Sequence, residues 1–433
     1  MPVSAVIFLV GFTAGCVLAF ARNPVYGLMT YIATLYFDPA GQWWGHALPF
    51  VRWELIPAAI TVVAMLLYGR RLSLPLRSAA FWGFSLFVLW AIVQLEWALD
   101  LDAQEQLVSI WSKFLVVSIM ICACVDSWKN LRLVLWAHVL GCVYMGWMAY
   151  AFYRGGRFEG FGLGSVEDAN TGALVLVTGF ITAASLFLSG SWRTKVALLL
   201  GMGLIANGII ATESREGFLA LLGSGIVFVI FTPKVFRKQV IAASLLAIVG
   251  FLVLTNAGFW LRVHTIKDTG APIQGVDTGH ARVEVAKAQW RIFQEHPLGC
   301  GHACTDVLSP QFLPPEYLAL SGRRSSHNTF MTMLVDHGVP GAALYIAMLL
   351  WIYKKLKALA PQARSMSGFP ATFFPAVAGV LVAITIADMF SQFPLLEVRV
   401  WFVSLLIAYA ELLQIDGASA REEVAARQVA QVA

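Results

Sequence analysis

"VSAVIFLVGFTAGCVLAFARNP", Val3 to Pro24, decides the fold. No charged residue interrupts it before Arg22, and its length approaches the roughly 20 apolar residues that carry a helix across a bilayer. Similar runs recur along the chain. Of its 433 residues, 59% are hydrophobic and only 13% charged, with a mean hydropathy of +0.73, outside the balance of a soluble domain. Continuous apolar runs argue for a helical bundle rather than the alternating pattern of a membrane barrel. The first run lacks a basic start and further spans follow it, so it reads as a retained helix and not a cleaved signal.

In order, the runs predict spans near 3–20, 55–68, 79–97, 107–125, 131–153, 171–188, 195–212, 217–231, 239–256, 339–353, 371–389 and 397–413. A shorter run, Val25 to Phe37, falls below the length of a crossing and reads as re-entrant or interfacial. The expected fold is an all-α integral membrane protein of about twelve transmembrane helices, with a large helical periplasmic loop that falls between the tenth and eleventh helices when the short run is counted. Residues 1–256 form an N-terminal bundle, 257–338 a periplasmic segment, 339–413 the C-terminal membrane helices and 414–433 a frayed cytoplasmic tail.

Charge sets the orientation. The net charge is +5, but the basic residues fall mostly in short loops, so they orient the chain and do not indicate nucleic acid. Arg70, Arg71 and Arg77; Lys129 and Arg132; Arg193 and Lys195; Lys234, Arg237 and Lys238; and Lys354, Lys355, Lys357 and Arg364 mark cytoplasmic loops. The alternate loops, around Asp100, Arg157 and Arg215, the segment 257–338, and "SQFPLLE", then face the periplasm of a bacterial inner-membrane protein.

The segment of about 80 residues is too long for an ordinary connection. Within it, "DTGHARVEVAKAQWRIFQEHPLG" predicts an amphipathic helix capped at Thr278, with Val283, Ala286, Trp290 and Phe293 on its packed face. "RRSSHNTFMTMLVDHGVPG", Arg323 to Gly341, holds the densest chemistry. Asn328 is placed to cap a short helix that Gly338 ends before Pro340. His327 then lies at the positive helix end, where the dipole favours a neutral base, and His337 at the negative end, where it favours the imidazolium. Either histidine alternatively satisfies a hydrogen bond at an interface.

The spacing His327-Asn328, nine residues, Gly338-Val339-Pro340-Gly341 resembles the His-Asn/Ser/Gln, nine residues, Gly-x-x-Gly motif of bacterial O-antigen ligases, and it follows a large loop as in that family. "ARNPVYGLMTYIATLYFDPAGQWW" resembles, more loosely, the N-terminal region of the exosortase-associated O-glycosylation ligase subgroup. Ser214-Arg215 in "ATESREGF" resembles the family's Ser-Arg pair between two spans, which implies a donor-diphosphate contact for Arg215; otherwise Arg215 is an interfacial anchor. "ARVEVAKAQWRIFQEHPLGCG" resembles the family's Arg-containing helix followed by Pro-x-x-Gly, with one residue more before the last glycine. The tryptophan often found a turn after that arginine is absent, Trp290 coming two turns later, which leaves Arg291 as the alternative to Arg282.

"RGGRFEGFGLGSVEDANTG" reads as a flexible loop with a capped helix start, or, by similarity to the family's Arg…Asp-x-Asn loop, as a donor-binding contribution from Arg157 and Asn170. Arg323 and Arg324 are solvated loop residues or contacts to anionic headgroups or acceptor phosphates. "CGHAC", Cys300 to Cys304, lacks an evident fourth metal ligand, so a local disulfide or free thiols are expected and no metal. Cys16, Cys122, Cys124 and Cys142 sit in apolar runs as small hydrophobes.

The resemblance implies a periplasmic glycosyltransferase that moves a glycan from undecaprenyl diphosphate to a sugar hydroxyl of the lipid A core, inverting, without metal or other cofactor. His327, Arg215 and Arg282 would be catalytic; Arg157, Asn170, Asn328, Arg291, Arg323 and Arg324 would bind substrate. Donor, acceptor and membrane lipids are the expected partners, with no nucleic acid. A polymerase or a protein O-oligosaccharyltransferase would use the same donor and another acceptor. A lipid-linked sugar transporter would place ionisable groups at mid-span, whereas these residues gather at one membrane face.

Overall fold

The computed structural model describes residues 1–161, 168–254, 279–392 and 394–432. Among them every regular element is a helix. Nine helices in this set are long and apolar enough to cross a membrane, so the chain is an all-α, multi-pass membrane protein. Helices also stand at the other three predicted spans: α3 (Leu55–Leu67), α9 (Arg215–Phe231) and α10 (Lys234–Leu254).

The short run forms α2 (Val25–Tyr36). At 1.5 Å per residue it extends about 18 Å, well short of a hydrocarbon core of about 30 Å. It packs against α1 (Val3–Ala21), α3 and α6 (Trp128–Phe152), with residues on most of its circumference buried.

The centre of the bundle consists of α7 (Ala169–Ser189), α14 (Gly368–Ala387) and α15 (Glu397–Val432). Helix α14 packs closely on α7 and α9. The sequences of α7 and α14 are rich in alanine, glycine, serine and threonine, the small residues that let helix backbones approach when solvent supplies no hydrophobic drive. Some polar side chains inside pair with one another: Ser404 donates to Ser118 at 2.8 Å, and the Tyr36 hydroxyl meets His138 Nδ1 at 2.7 Å.

Contacts between helix ends fall at two ends of the bundle. At one end Arg70 pairs with Asp126, Trp128 Nε1 donates to Asp416 at 2.9 Å, and Gln362 donates to the Leu413 carbonyl at 2.8 Å. At the other, the start of α5 (Leu101–Cys124) meets the segment after α11 (Gly279–Glu295), Leu99 N–H donating to the Cys300 carbonyl at 2.9 Å. Residues 416–432, expected as a frayed tail, continue α15 as helix; "ASAREEVAARQVAQ" consists mainly of strong helix formers.

In the described part of the long loop, α11 and α12 (Cys304–Phe312) are helical, and Thr278 lies outside the described residues. The packed face of α11 is not the expected one. Ala281, Val285, Ala288, Gln289 and Ile292 are buried, while Val283 and Trp290 are half exposed. Gln289 donates to Thr305 at 3.1 Å, so a stripe of small residues with one satisfied amide packs on α12 and on Leu313 and Leu318. The bulkier stripe that periodicity selects points away; only Phe293 of that set joins the packing.

Candidate functional site

Three helix N-termini converge at the end of the bundle where the long loop sits. Each is capped by the side chain the sequence offers. Asp168 caps α7 by accepting from Asn170 N and Thr171 N, at 2.6 and 3.1 Å. Ser214 caps α9 by accepting from Gly217 N at 3.1 Å, and Asn328 caps α13 (Thr329–Ser365) by accepting from Met331 N at 3.0 Å. Helix N-termini carry partial positive charge, so their convergence makes an end of the bundle suited to anions.

Asn170 joins two of them. Its Oδ1 accepts from Arg157 at 2.7 Å and from the Ser214 hydroxyl at 2.8 Å, and its Nδ2 donates to the Ser391 hydroxyl at 3.3 Å. Ser391 in turn donates to Glu216, and its carbonyl accepts from the Thr329 hydroxyl at 2.8 Å. The Asn328 side chain donates to the Met389 carbonyl at 3.2 Å. The start of α13, which carries His327, is therefore fastened to the same Asn170–Ser391 link that holds Arg157 and the Ser214-Arg215 turn. That turn is tight: Glu213 takes a positive φ of 48°.

Glu216 precedes the predicted span at 217–231 and is only 4% exposed. Burial pushes its carboxyl up to about 8; Ser391 and Arg282 oppose the shift, while Asp168 and Asp388 add to it. Arg282 thus acts on the carboxyl of the first turn of α9. His327, Arg215 and Arg282 are all half-buried.

The structure brings Arg157, Asn170, Asn328 and the Ser214-Arg215 turn into one hydrogen-bonded cluster, with Arg282 coupled to it electrostatically through Glu216. Arg291 is exposed, two and a half helical turns beyond Arg282. Arg323 pairs with Asp306 at 3.8 Å, and the Arg324 amide donates to Ser309 at 2.8 Å, so both are anchored on α12. Glu216 and Ser391 are the members sequence reasoning missed. Glu216 follows the singled-out Ser214-Arg215 pair and was available as a signal; Ser391 had none, since only tertiary contact distinguishes it.

Behind α13 stands a second arrangement. Gly338 has a φ of +64° and breaks α13, and a Cβ there would lie 2.2 Å from the Leu298 carbonyl carbon. A Cβ on Gly341 would lie 2.2 Å from His337 Cβ. The two motif glycines therefore let the segment after α11 press on the break and seat the His337 side chain. His337 is wholly buried, and its Nδ1 meets Gln94 Oε1 at 2.7 Å. Burial disfavours a charge there, so surroundings override the helix-dipole expectation for this residue. Cys300 and Cys304 form a disulfide, while Cys16, Cys122, Cys124 and Cys142 are buried free thiols.

No curated protein matches the chain. A family model described as O-Antigen ligase matches residues 200–346, a stretch that contains Ser214, Arg215, Glu216, Arg282, His327 and the Gly338–Gly341 motif. Arg157, Asn170 and Ser391 come to the site from outside it. The match falls on the Ser214–Glu216 turn, Arg282, His327 and the break in α13, and over that third of the chain the protein is similar to the O-antigen ligase family.

Proposed function

We propose that the chain transfers a glycan from undecaprenyl diphosphate to a sugar hydroxyl of the lipid A core on the periplasmic side of the inner membrane, with inversion and with no metal in the transfer step. The observation that carries this reading is the Asn170–Ser391 link, which fastens the helix start bearing His327 to the Ser214-Arg215 turn and to Arg157.

In this reading His327 takes the proton of the acceptor hydroxyl as its oxygen attacks the anomeric carbon opposite the diphosphate. The bond from that carbon to the diphosphate oxygen breaks, and the charge left on the diphosphate meets Arg215 and Arg282. Guanidiniums suit this task because they offer paired donors and do not titrate away. Glu216, held largely protonated at neutral pH by burial, leaves the charge of Arg282 available to an anion. Arg157, Asn170 and Asn328 position the donor; exposed Arg291 and Arg323 line the approach of the larger substrates, whereas Arg324, only 6% exposed, is buried rather than solvated.

The test uses the full-length protein in nanodiscs, a purified undecaprenyl-diphosphate glycan and rough lipopolysaccharide, without added divalent cation. Wild type should modify the lipopolysaccharide, and His327→Ala should be slower by about 10²–10⁴, the usual contribution of a positioned base. Transfer by folded His327→Ala at close to the wild-type rate would remove the histidine from the base role. If folded, donor-binding wild type leaves lipopolysaccharide unmodified but extends a glycan or labels a protein, the acceptor assignment fails and the polymerase or protein-glycosylating reading replaces it.

A further inference from the structure

The Cys-x-His-x-Cys stretch lacks a metal set when read alone, and its two cysteines are consumed in a disulfide. Folding gives its histidine different company. One ligand atom from each of His302, Asp336 and His337 lies within 4.8 Å of the others. His302 Nδ1 is 3.6 Å from Asp336 Oδ2, close to the edge of about 3.3 Å of a tetrahedron with metal–ligand bonds near 2.0 Å. The two imidazole rings lie face to face, 6.2 Å apart and inclined by 6°.

The hydrogen-bond pattern leaves the right atoms to bind. Gln94 Nε2 donates to the carbonyls of Leu298 and Asp336 at 3.3 and 3.0 Å, which fixes Oε1 as the atom facing His337. Oε1 can only accept, so His337 Nδ1 carries the proton and Nε2 presents a lone pair. That Nε2 is buried and has no hydrogen-bond partner among the described residues, and neither does His302 Nδ1. Unpaired buried polar atoms are costly, and a ligating histidine held at its other nitrogen by a neighbouring acceptor is the usual outer support of a metal site. Asp336 Oδ2 accepts from Ala303 N at 3.0 Å and Oδ1 from Thr305 N at 3.4 Å. Each oxygen keeps a lone pair beyond these.

We propose that His302, Asp336 and His337 bind one divalent transition-metal ion, with zinc the best match to two imidazoles and a carboxylate. A fourth position, on the side where the His302 side chain is 18% exposed, takes water. The ion ties the segment 297–304 to the break in α13. It is structural: His337 lies ten residues from His327 in sequence, about 15 Å along a helix, and takes no part in the transfer step.

The test is metal analysis of the full-length protein, purified in detergent with a tag that binds no metal. About one zinc per chain is expected in wild type, and less than a tenth of that in His302→Ala, chosen because this histidine is the most exposed of the three. Stripped wild type should gain thermal stability on adding Zn²⁺, while stripped His302→Ala should not. Co²⁺ added to stripped wild type should give the visible absorption of a tetrahedral nitrogen and oxygen site. A stripped wild type that shows neither a Co²⁺ spectrum nor a zinc-dependent shift, or equal zinc in wild type and His302→Ala, would overturn the assignment.

Discussion

Asn170 and Ser391, separated by 221 positions, meet through an amide-to-hydroxyl hydrogen bond of 3.3 Å, and the loop that bears Arg157 and the helix that follows His327 are joined there. Asn170 alone also engages Arg157 and Ser214. Replacing it with alanine leaves three polar partners short. With about 1–3 kcal/mol for each buried group left unsatisfied, Asn170→Ala is expected to lower Tm, and the folded variant to lose about 10–100-fold in kcat/KM for donor transfer through misplacement of the site. Unchanged transfer kinetics in folded Asn170→Ala would show that the link does not position the reaction.

Arg215 lies on the tight turn between Ser214, whose hydroxyl caps α9, and buried Glu216. If it stabilises the departing diphosphate, its loss should act on the chemical step. Arg215→Ala is expected to reduce kcat by about 10²–10³, the cost of removing one charge-stabilising group. Arg215→Lys should recover only part, since an ammonium keeps the charge but not the planar pair of donors. Steady-state kinetics with saturating acceptor separate this from a defect in acceptor binding, and full activity of Arg215→Lys would indicate a need for charge without bidentate geometry.

Glu216 gives a pH signature. Its carboxyl titrates near 8 in the folded protein and near 4.3 in an unfolded chain, so the fold favours the protonated form. As pH rises through the unfolded value, the unfolded state gains by ionising while the folded state does not, and stability falls until the folded value is passed. The difference in Tm between wild type and Glu216→Gln should therefore shift against wild type between about pH 5 and pH 8. A difference that stays constant over that range would show that Glu216 titrates normally.

The helices and their caps were legible because they are local. Apolar runs mark the spans, and Asn328 announces its helix start by residue type; Asp168 and Ser214 do the same once the fold shows them as caps. The partners of those caps were not legible. Ser391 is an unremarkable serine until α14 delivers it to Asn170, and His302 has no ligand set until the break at Gly338 brings Asp336 and His337 to it. The packed face of α11 was misjudged for a related reason: periodicity weighs bulk, whereas the surface offered by α12 accepts Ala281, Val285 and Ala288 and leaves Trp290 outside.

The break at Gly338 is testable in its own right. Its φ of +64° is unfavourable for any residue with a Cβ, and the added carbon would collide with backbone at Leu298 and Gly299, not with a side chain that can swing away. Gly338→Ala should cost more than about 1 kcal/mol and separate residues 297–301 from α13. The fall in Tm should be accompanied by faster hydrogen exchange at Val339, whose amide donates to the Pro297 carbonyl at 3.0 Å. Wild-type Tm and exchange in Gly338→Ala would mean that the break can be made without glycine.

Asp388 and Arg399 form a buried pair behind the start of α13. Arg399 donates to Asp388 Oδ1 at 2.6 Å, the Tyr345 hydroxyl donates to Oδ2 at 2.5 Å, and both charged side chains are at most 5% exposed. The Asp388 carbonyl also accepts from Thr329 N at 2.7 Å, so the pair holds the first residue of the helix that His327 precedes. Removing Asp388 deprives the buried guanidinium of its carboxylate, although the Tyr345 hydroxyl also accepts from it at 3.3 Å, and breaking a buried pair typically costs about 3–5 kcal/mol. Asp388→Ala should therefore lose much of the folded protein. In Asp388→Asn the amide oxygen can still accept from Arg399 but carries no charge, so this variant should fold with a lower Tm. Comparing the two by thermal denaturation in detergent distinguishes a need for charge from a need for hydrogen bonding. Equal, near wild-type Tm values in both would show that the guanidinium of Arg399 is satisfied without Asp388.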